Sequence, residues 1–180
     1  MNDNQILALI ISILDAGLAT LNMSSVEVLQ NYQATQQGIP EGDAIYIHKL
    51  PEKRYGSPQE LGTFNESTNV VEQTTTFYRV TTWQIATRAQ QDPSNVSALT
   101  ASDLADTVAD ILQFMSTRQT LLASGVGIDR ITNIRTVYEV NEKGRNEQVP
   151  NFDITLNYRK IYNSTVAAAG QIEQNLTGIG

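Results

Sequence analysis

The sequence has no cysteine and one histidine, and only 17% of its 180 residues are charged. The lack of cysteine excludes disulfides and thiolate chemistry. Lys and Arg number 12 against 19 acidic residues, which gives a net charge of −7. This balance argues against a general nucleic-acid binder, because such proteins neutralise phosphates with Lys and Arg. It leaves room for a protein past which DNA moves without binding.

Motifs for catalysis are also missing. His48 lies inside a predicted strand, where a lone histidine is usually structural. Asp103, Asp106 and Asp110 share one side of a predicted helix, but no histidine or further carboxylate accompanies them, and a solvated helix face explains them. Gly125-Val-Gly127 follows a helix, whereas the nucleotide-binding fingerprint follows a strand. We therefore expect no enzymatic activity, no metal and no cofactor.

The N-terminus holds the longest apolar run. It extends from Ile6 to Leu14, is interrupted by Ser12 and is closed by Asp15. Because a bilayer-spanning helix needs about 20 apolar residues, the run is too short. The spacing of its apolar residues predicts a buried amphipathic helix that begins near Asp3 or Asn4.

The most conspicuous feature is the stretch 69–88, which is rich in Thr, Val, Ile and aromatic residues and has no Gly or Pro. This composition predicts one very long strand, which must either protrude from its domain or bend at a bulge. Its first face carries Trp83 and Ile85, and its second face carries Tyr78 and Val80. The second face is either an ordinary surface with scattered aromatics or a contact with another copy of the chain.

The remaining patterns predict an α+β fold. We expect strands near 26–32 and 44–50, an irregular segment over 51–68, and a helix capped by Thr100 and Asp103 whose buried stripe reaches Met115. A hairpin should follow, with a bulge within 128–140 and a clear return strand through 152–162. The predicted fold is an antiparallel or mixed sheet of about five strands with two helices on one face, an extended loop and a C-terminal tail. One domain should cover 1–180, with 163–180 flexible or ordered by a partner.

A small basic patch is the main candidate for a partner surface. It comprises Lys49, Lys53 and Arg54, and it is either a solvated loop or a contact with an acidic partner or a phosphate backbone. Together with Tyr55, Tyr78 and Val80, these cations are the predicted residues of a subunit or partner interface.

Several short motifs follow one another between residues 40 and 160. They are His48-Lys49 with Lys53-Arg54-Tyr55-Gly56, Thr75-Thr-Phe-Tyr-Arg-Val80, Leu99-Thr-Ala-Ser-Asp-Leu104, Gly125-Val-Gly-Ile-Asp-Arg-Ile131 and Phe152-Asp-Ile-Thr-Leu156. In order and spacing they resemble the neck or tail-terminator proteins of contractile-tailed bacteriophages. The N-terminal helix and the residues after Asn163 add nothing to this resemblance.

The resemblance implies a small α+β subunit of the virion neck that closes into a ring, commonly a hexamer, after assembly in the host cytoplasm. Such a ring sits on the head-proximal end of the tail tube, stops its polymerisation and presents a surface for head–tail joining. Its partners would be copies of itself, the tail tube or sheath, and the neck or connector proteins. DNA would pass through the channel without specific binding, and no membrane would be involved.

Two other interpretations stay open. One is a different connector part, such as a head-completion or stopper protein or a tail-tube subunit, which would use other surfaces. The other is a small-ligand-binding or enzymatic α+β domain, which would need a deep pocket with convergent polar groups.

Overall fold

Within the part of the chain that the structure describes, three helices and seven strands form an α+β fold, as the sequence predicted. The computed structural model describes residues 1–30, 42–89, 94–95, 97–140 and 146–167. The helices are α1 (Asp3–Thr20), α2 (Ala101–Gln113) and α3 (Met115–Ala123). The strands in these ranges are β1 (Glu27–Gln30), β2 (Ala44–Lys49), β3 (Lys53–Asn65), β4 (Val70–Arg88), β5 (Val126–Ile131), β6 (Arg135–Val140) and β7 (Asn146–Ala167). Most residues of the turns predicted at 92–94 and 141–146 lie outside the described residues.

The strands belong to one mixed sheet in the order β1-β2-β4-β7-β5, with β3 paired to β4 and β6 paired to β7. The β1–β2 pair is parallel, while β2–β4, β5–β7 and β6–β7 are antiparallel. The side chain of Thr82 contacts that of Thr155, and the side chain of Gln84 contacts that of Asp153. The residue numbers rise along β4 as they fall along β7, so these two strands are antiparallel too. β4 and β7, the two longest strands, are therefore adjacent in the sheet.

The contacts divide the chain into two units. We call residues 1–53 and 80–158 the core unit, and we call the described part of the second unit, residues 54–79 and 159–167, the ribbon. β4 and β7 each contribute residues to both units. The predictions of one domain and of a tail from residue 163 stay predictions, although residues 163–167 belong to β7.

The hydrophobic core of the core unit lies between the helices and the sheet. It joins side chains from all three helices to alternate residues of the strands, among them Ile6, Leu14, Ile47, Trp83, Ile85, Leu104, Ile111, Phe152 and Leu156. By length and composition α1 is the one helix among the described residues that could span a membrane. Its apolar stripe is used inside the protein, because six of its side chains are buried.

The caps of the helices agree only in part with the sequence prediction. α1 is capped by Asn2, not by Asp3 or Asn4, because the Asn2 side chain and Gln5 form a reciprocal capping box. The box of Thr100 and Asp103 on α2 is confirmed. Hydrogen bonds from Thr100 hold the pKa of the Asp103 carboxyl below its ordinary value.

The second predicted helix is broken at its C-terminal end. α2 ends at Gln113, Phe114 has the extended torsion ψ 144°, and α3 begins at Met115. The Thr117 hydroxyl donates a hydrogen bond of 2.7 Å to the Ile111 carbonyl, which also accepts one of 3.2 Å from the Phe114 N–H at the break. The prediction that Met115 is buried is therefore wrong, since its side chain is 70% exposed.

The segment 51–68 was predicted as irregular, which is wrong for most of its length. Residues 53–65 form β3, and residues 66–69 make the turn into β4. Gly56 adopts a φ of +64°, and Pro58 sits in a strand whose one partner among the described residues is β4. A strand at a sheet edge tolerates both residues, because it has one side without ladder hydrogen bonds.

The other strand predictions hold in outline. β4 matches the predicted long strand, and its first face is buried at Thr81, Trp83 and Ile85. The predicted strand 128–140 is two strands, β5 and β6, separated by residues 132–134. The predicted bulge is present, between Ile128 and Arg130.

Gly17 of α1 gives a test of the packing between α1 and α2. A Cβ at this position would lie only 2.3 Å from the branched Cγ2 of Ile111. We expect Gly17→Ala to lower the free energy of unfolding by about 1–3 kcal/mol, because overpacking outweighs the helix propensity of Ala. Chemical denaturation measures the change. Ala19→Leu, at an exposed position of α1, is the control and should change stability by less than about 0.5 kcal/mol. A Gly17→Ala chain that is more stable than the wild type would contradict this packing.

Candidate interaction surfaces

Lys49 is held inside the core unit. Its ammonium Nζ lies 2.7 Å from Asp3 Oδ1 and 2.9 Å from Glu52 Oε2. Partial burial opposes the charged form of Lys49, but the hydrogen bonds to the two carboxylates outweigh it, and its pKa lies above the ordinary value. Lys49 therefore ties the end of β2 to the start of α1, and its charge is already compensated within the chain.

The other residues of the predicted basic patch are exposed at the start of β3. Lys53 belongs to the core unit, while Arg54 and Tyr55 belong to the ribbon. Among the described residues, neither Lys53 nor Arg54 has an acidic group within ion-pair distance. These two cations thus remain available for a partner, unlike Lys49.

Tyr78 and Val80 are the predicted interface residues of β4. The Tyr78 side chain is 48% exposed and belongs to the ribbon. Val80 is partly buried in the core unit, between the buried residues Arg79 and Thr81. The prediction that these residues meet a partner stays a prediction, and Tyr78 is by its exposure the stronger candidate.

Sequence reasoning did not identify the ribbon as a surface. The ribbon consists of β3, the first half of β4 and the last part of β7, in that order, and its described residues include no helix. Of the twelve exposed large apolar side chains among the described residues, seven belong to it: Tyr55, Leu61, Phe64, Tyr78, Ile161, Tyr162 and Val166. The apolar side chains of the ribbon are therefore only partly covered by the rest of the chain.

One face of the ribbon is cationic and aromatic. The rings of Phe77 and Tyr162 meet edge to face with centroids 5.7 Å apart. The Arg79 guanidinium lies 5.4 Å from the Phe77 centroid, and the Lys160 ammonium lies 5.4 Å from the Tyr162 centroid. Such contacts fix the rings in place, so this face is a preformed aromatic surface.

The opposite face is richer in hydroxyl and amide groups. The Thr74 hydroxyl donates to Asn163 Oδ1 at 3.2 Å, and the Asn65 amide donates to Glu72 Oε1 at 2.8 Å. Because side chains alternate along a strand, Tyr78 and Ile161 share this face. Exposed apolar groups thus lie on both faces of the ribbon, and this face adds polar groups that are hydrogen-bonded within the chain.

The comparisons with known proteins identify the family. The family model described as E217 gateway protein gp29 matches residues 5–168. The chain belongs to this family. A comparison with curated proteins gave no match. The family is one of phage head–tail gateway or connector proteins, so the chain is a virion component of the head–tail junction.

The family match supports the resemblance found in the sequence at the level of a head–tail connector. It also extends further than the motifs between residues 40 and 160 did, because it includes most of α1 and all of β7. The N-terminal helix is therefore part of the family pattern, although it offered no motif by itself.

One groove of the core unit lies between α2 and β5. It is lined in part by acidic and basic side chains, including Asp106, Asp110, Arg118, Asp129 and Arg130. In the described ranges, no group of three or more His, Cys, Asp or Glu side chains could hold a metal ion. The mixed charges of the groove single out no ligand class.

Lys49 and Lys53 are close in the sequence but should behave differently when substituted. We expect Lys49→Met to lower the free energy of unfolding by about 1 kcal/mol, because it removes two ion pairs from a part-buried site. Lys53→Met, at an exposed position without an ion pair, should leave stability unchanged. Urea unfolding at pH 7 compares the two. Equal losses of stability in the two variants would show that the Lys49 ion pairs contribute nothing.

Proposed function

We propose that this chain is a tail terminator, a structural subunit that closes into a ring at the head-proximal end of the phage tail tube. The ring halts polymerisation of the tube and offers the surface on which the head is joined. The family places the chain at the head–tail junction. The observation that carries the finer proposal is the ribbon, with its seven exposed apolar side chains.

An exposed apolar sheet of this kind favours association. Large apolar patches on a protein surface mark contacts with other proteins. β3, at the edge of the ribbon, has one partner among the described residues, so its outer edge presents free backbone groups. Copies of the chain are the partners that every terminator ring must contain, and we assign the ribbon to the contacts between them.

A ring also explains how growth ends. When two unlike surfaces of identical subunits bind each other, every contact rotates the next subunit by the same angle. A closed ring forms when these rotations add up to a full circle. A closed ring leaves no free subunit-binding surface in its own plane. By the resemblance described above, six copies would complete it.

The charge of the chain suits a channel for DNA. Each subunit carries a net charge of −7, so a ring of copies repels phosphates overall. Acidic and amide side chains along the channel would let the genome slide through without being held. The role we propose is therefore structural and involves neither catalysis nor a cofactor.

The partners follow from the position of the ring. One rim contacts the tail tube or the sheath, and the other rim contacts the neck proteins that lead to the capsid. Lys53 is exposed and has no ion pair among the described residues, so it is a candidate contact with an acidic rim of a neighbouring ring.

The assembly state of the pure protein tests the proposal. We expect the mass in solution to be that of a closed ring, and electron microscopy to show single rings that do not elongate at high concentration. Added to polymerising tube subunits, the rings should cap the tubes and shorten them. Long tubes formed by the chain alone would identify a tube subunit instead. A chain that stays monomeric at high concentration would contradict the ring.

Joining of tails to heads tests the role of Lys53. We expect Lys53→Glu to reduce joining at least tenfold while rings form normally, because the charge at the rim is reversed. The measurement is a complementation assay with purified heads and tails, scored by particle counts. Arg118→Glu, an exposed reversal on α3, is the matched control and should join like the wild type. Wild-type joining by the Lys53→Glu chain would exclude this residue from the contact.

A further inference from the structure

The charges of the ribbon are separated by sign along its length. Two of its described acidic residues, Glu66 and Glu72, lie in or near the turn between β3 and β4, which we call the tip, and the third, Glu60, lies halfway along β3 beside Gln73. All its described cations lie away from the turn, at the end that we call the base: Arg54, Arg79, Arg159 and Lys160. The ribbon is therefore acidic at the tip and basic at the base.

The register of the strands supports this assignment of the base. Thr74 bonds to Asn163, and antiparallel pairing then sets Arg159 beside Tyr78, four residues further along β4. Arg54 is the first residue of the ribbon on β3 and the farthest from the turn on that strand. Arg54 and Arg159 are thus brought to the same end of the ribbon by separate strands.

The charges at the tip are not neutralised within the chain. Glu72 accepts a hydrogen bond from the Asn65 amide and Glu60 accepts one from the Gln73 amide, and both donors are neutral. Among the described residues, no cation lies within ion-pair distance of any of the three carboxylates. The tip therefore keeps two uncompensated negative charges, and Glu60 adds a third in the middle of β3.

The base shows the same property with the opposite sign. Arg54 and Arg159 are exposed, and within the described ranges neither has an acidic partner. Tyr78 is the neighbour of Arg159 on β4 and lies six residues beyond Glu72. The distance along the strand from Glu72 to Tyr78 is therefore roughly 20 Å. This exceeds the Debye length of about 8 Å at physiological salt, so tip and base of one ribbon do not neutralise each other.

We propose that the tip of one ribbon docks against the base of the ribbon of the next copy. This inference rests on the proposed ring and names the contact that builds it. Tip against tip or base against base would bring like charges together, whereas tip against base pairs opposite charges. The contact is therefore between unlike surfaces, which is the kind that closes a ring.

The exposed apolar side chains supply the rest of the contact. Leu61 and Phe64 lie close to the tip, while Tyr78 and Ile161 lie close to the base. Docking in this direction sets apolar groups of one copy against apolar groups of the next, in addition to the charges. The charges select the direction, and the apolar groups provide most of the attraction.

Charge exchange between tip and base tests the direction of docking. The tip variant is Glu66→Lys/Glu72→Lys, and the base variant is Arg54→Glu/Arg159→Glu. Each alone should weaken self-association at least tenfold in analytical ultracentrifugation, because the tip variant makes both ends of the ribbon positive and the base variant leaves the base, where Arg79 and Lys160 remain, without a net charge. A mixture of the two variants, or one chain with all four changes, should regain association. The control Asp15→Lys/Asp106→Lys makes the same charge change as the tip variant on exposed helix positions of the core unit and should associate like the wild type.

A disulfide gives a second measurement, because the natural chain has no cysteine. In Glu66→Cys/Arg159→Cys the two sites are roughly 25 Å apart along one ribbon. A disulfide needs Cα atoms within about 7 Å, so it can form only between copies. We expect oxidation to give a ladder of covalent multimers that ends at the copy number of the ring, while each single-cysteine variant stops at a dimer.

The results separate this inference from the proposed function. Rings that form normally in the tip and base variants, with no covalent ladder from the cysteine pair, would overturn the ribbon contact and leave the terminator proposal intact. A covalent ladder together with open-ended tubes would support the ribbon contact and contradict termination. Failure of the four-change chain to regain association, with its unfolding midpoint unchanged, would also count against the contact.

Discussion

The pairing of β4 with β7 is the constraint on which the rest of the structure depends. In the core unit, alternate residues of both strands are buried, with Trp83 and Ile85 on β4 and Ile154 and Leu156 on β7. The same two strands also supply two of the three strands of the ribbon. One antiparallel pair thus forms part of a buried hydrophobic core at one end and part of an exposed sheet at the other. The burial of the side chains along each strand changes between these two parts.

That change of environment is visible residue by residue. Along β4, strict alternation of buried and partly buried side chains holds from Arg79 to Arg88, whereas from Val70 to Phe77 no side chain is fully buried. Thr at positions 74–76 suits this part of the strand, because a β-branched hydroxyl residue packs on a sheet and still tolerates water. The ribbon is therefore built to be stable as a sheet and to remain available for contact.

The sequence was most informative where periodicity was uninterrupted. β4 has no Gly or Pro, and the capping box at Thr100 is a local pattern, so both were predictable. β3 was missed because Gly56, Pro58 and Gly62 are typical of loops. A stronger argument was present in the length of β4, since a strand of 19 residues must find partners for its backbone groups along its whole length. The adjacent stretch 51–68 could have supplied them.

The site was harder to predict than the fold because it depends on contacts between distant residues. Lys49 looked like part of an exposed basic patch, but it pairs with Asp3, which is 46 positions away in the sequence. The break after Gln113 that exposes Met115 depends on a hydrogen bond from Thr117 that no periodicity indicates. Arg54 and Tyr55 were named from the sequence, whereas Leu61, Phe64 and Ile161 became candidates only when their strands were placed together.

The shared strands also have a consequence for the order of folding. The ribbon joins residues up to 89 positions apart, so closing it early would carry a large loop-closure cost. Pairing of β4 with β7 in the core unit shortens that loop, after which the ribbon can zip up from the paired strands. In this order of folding, the exposed sheet of the ribbon forms only on chains whose core is already formed. Nascent and misfolded chains therefore lack it.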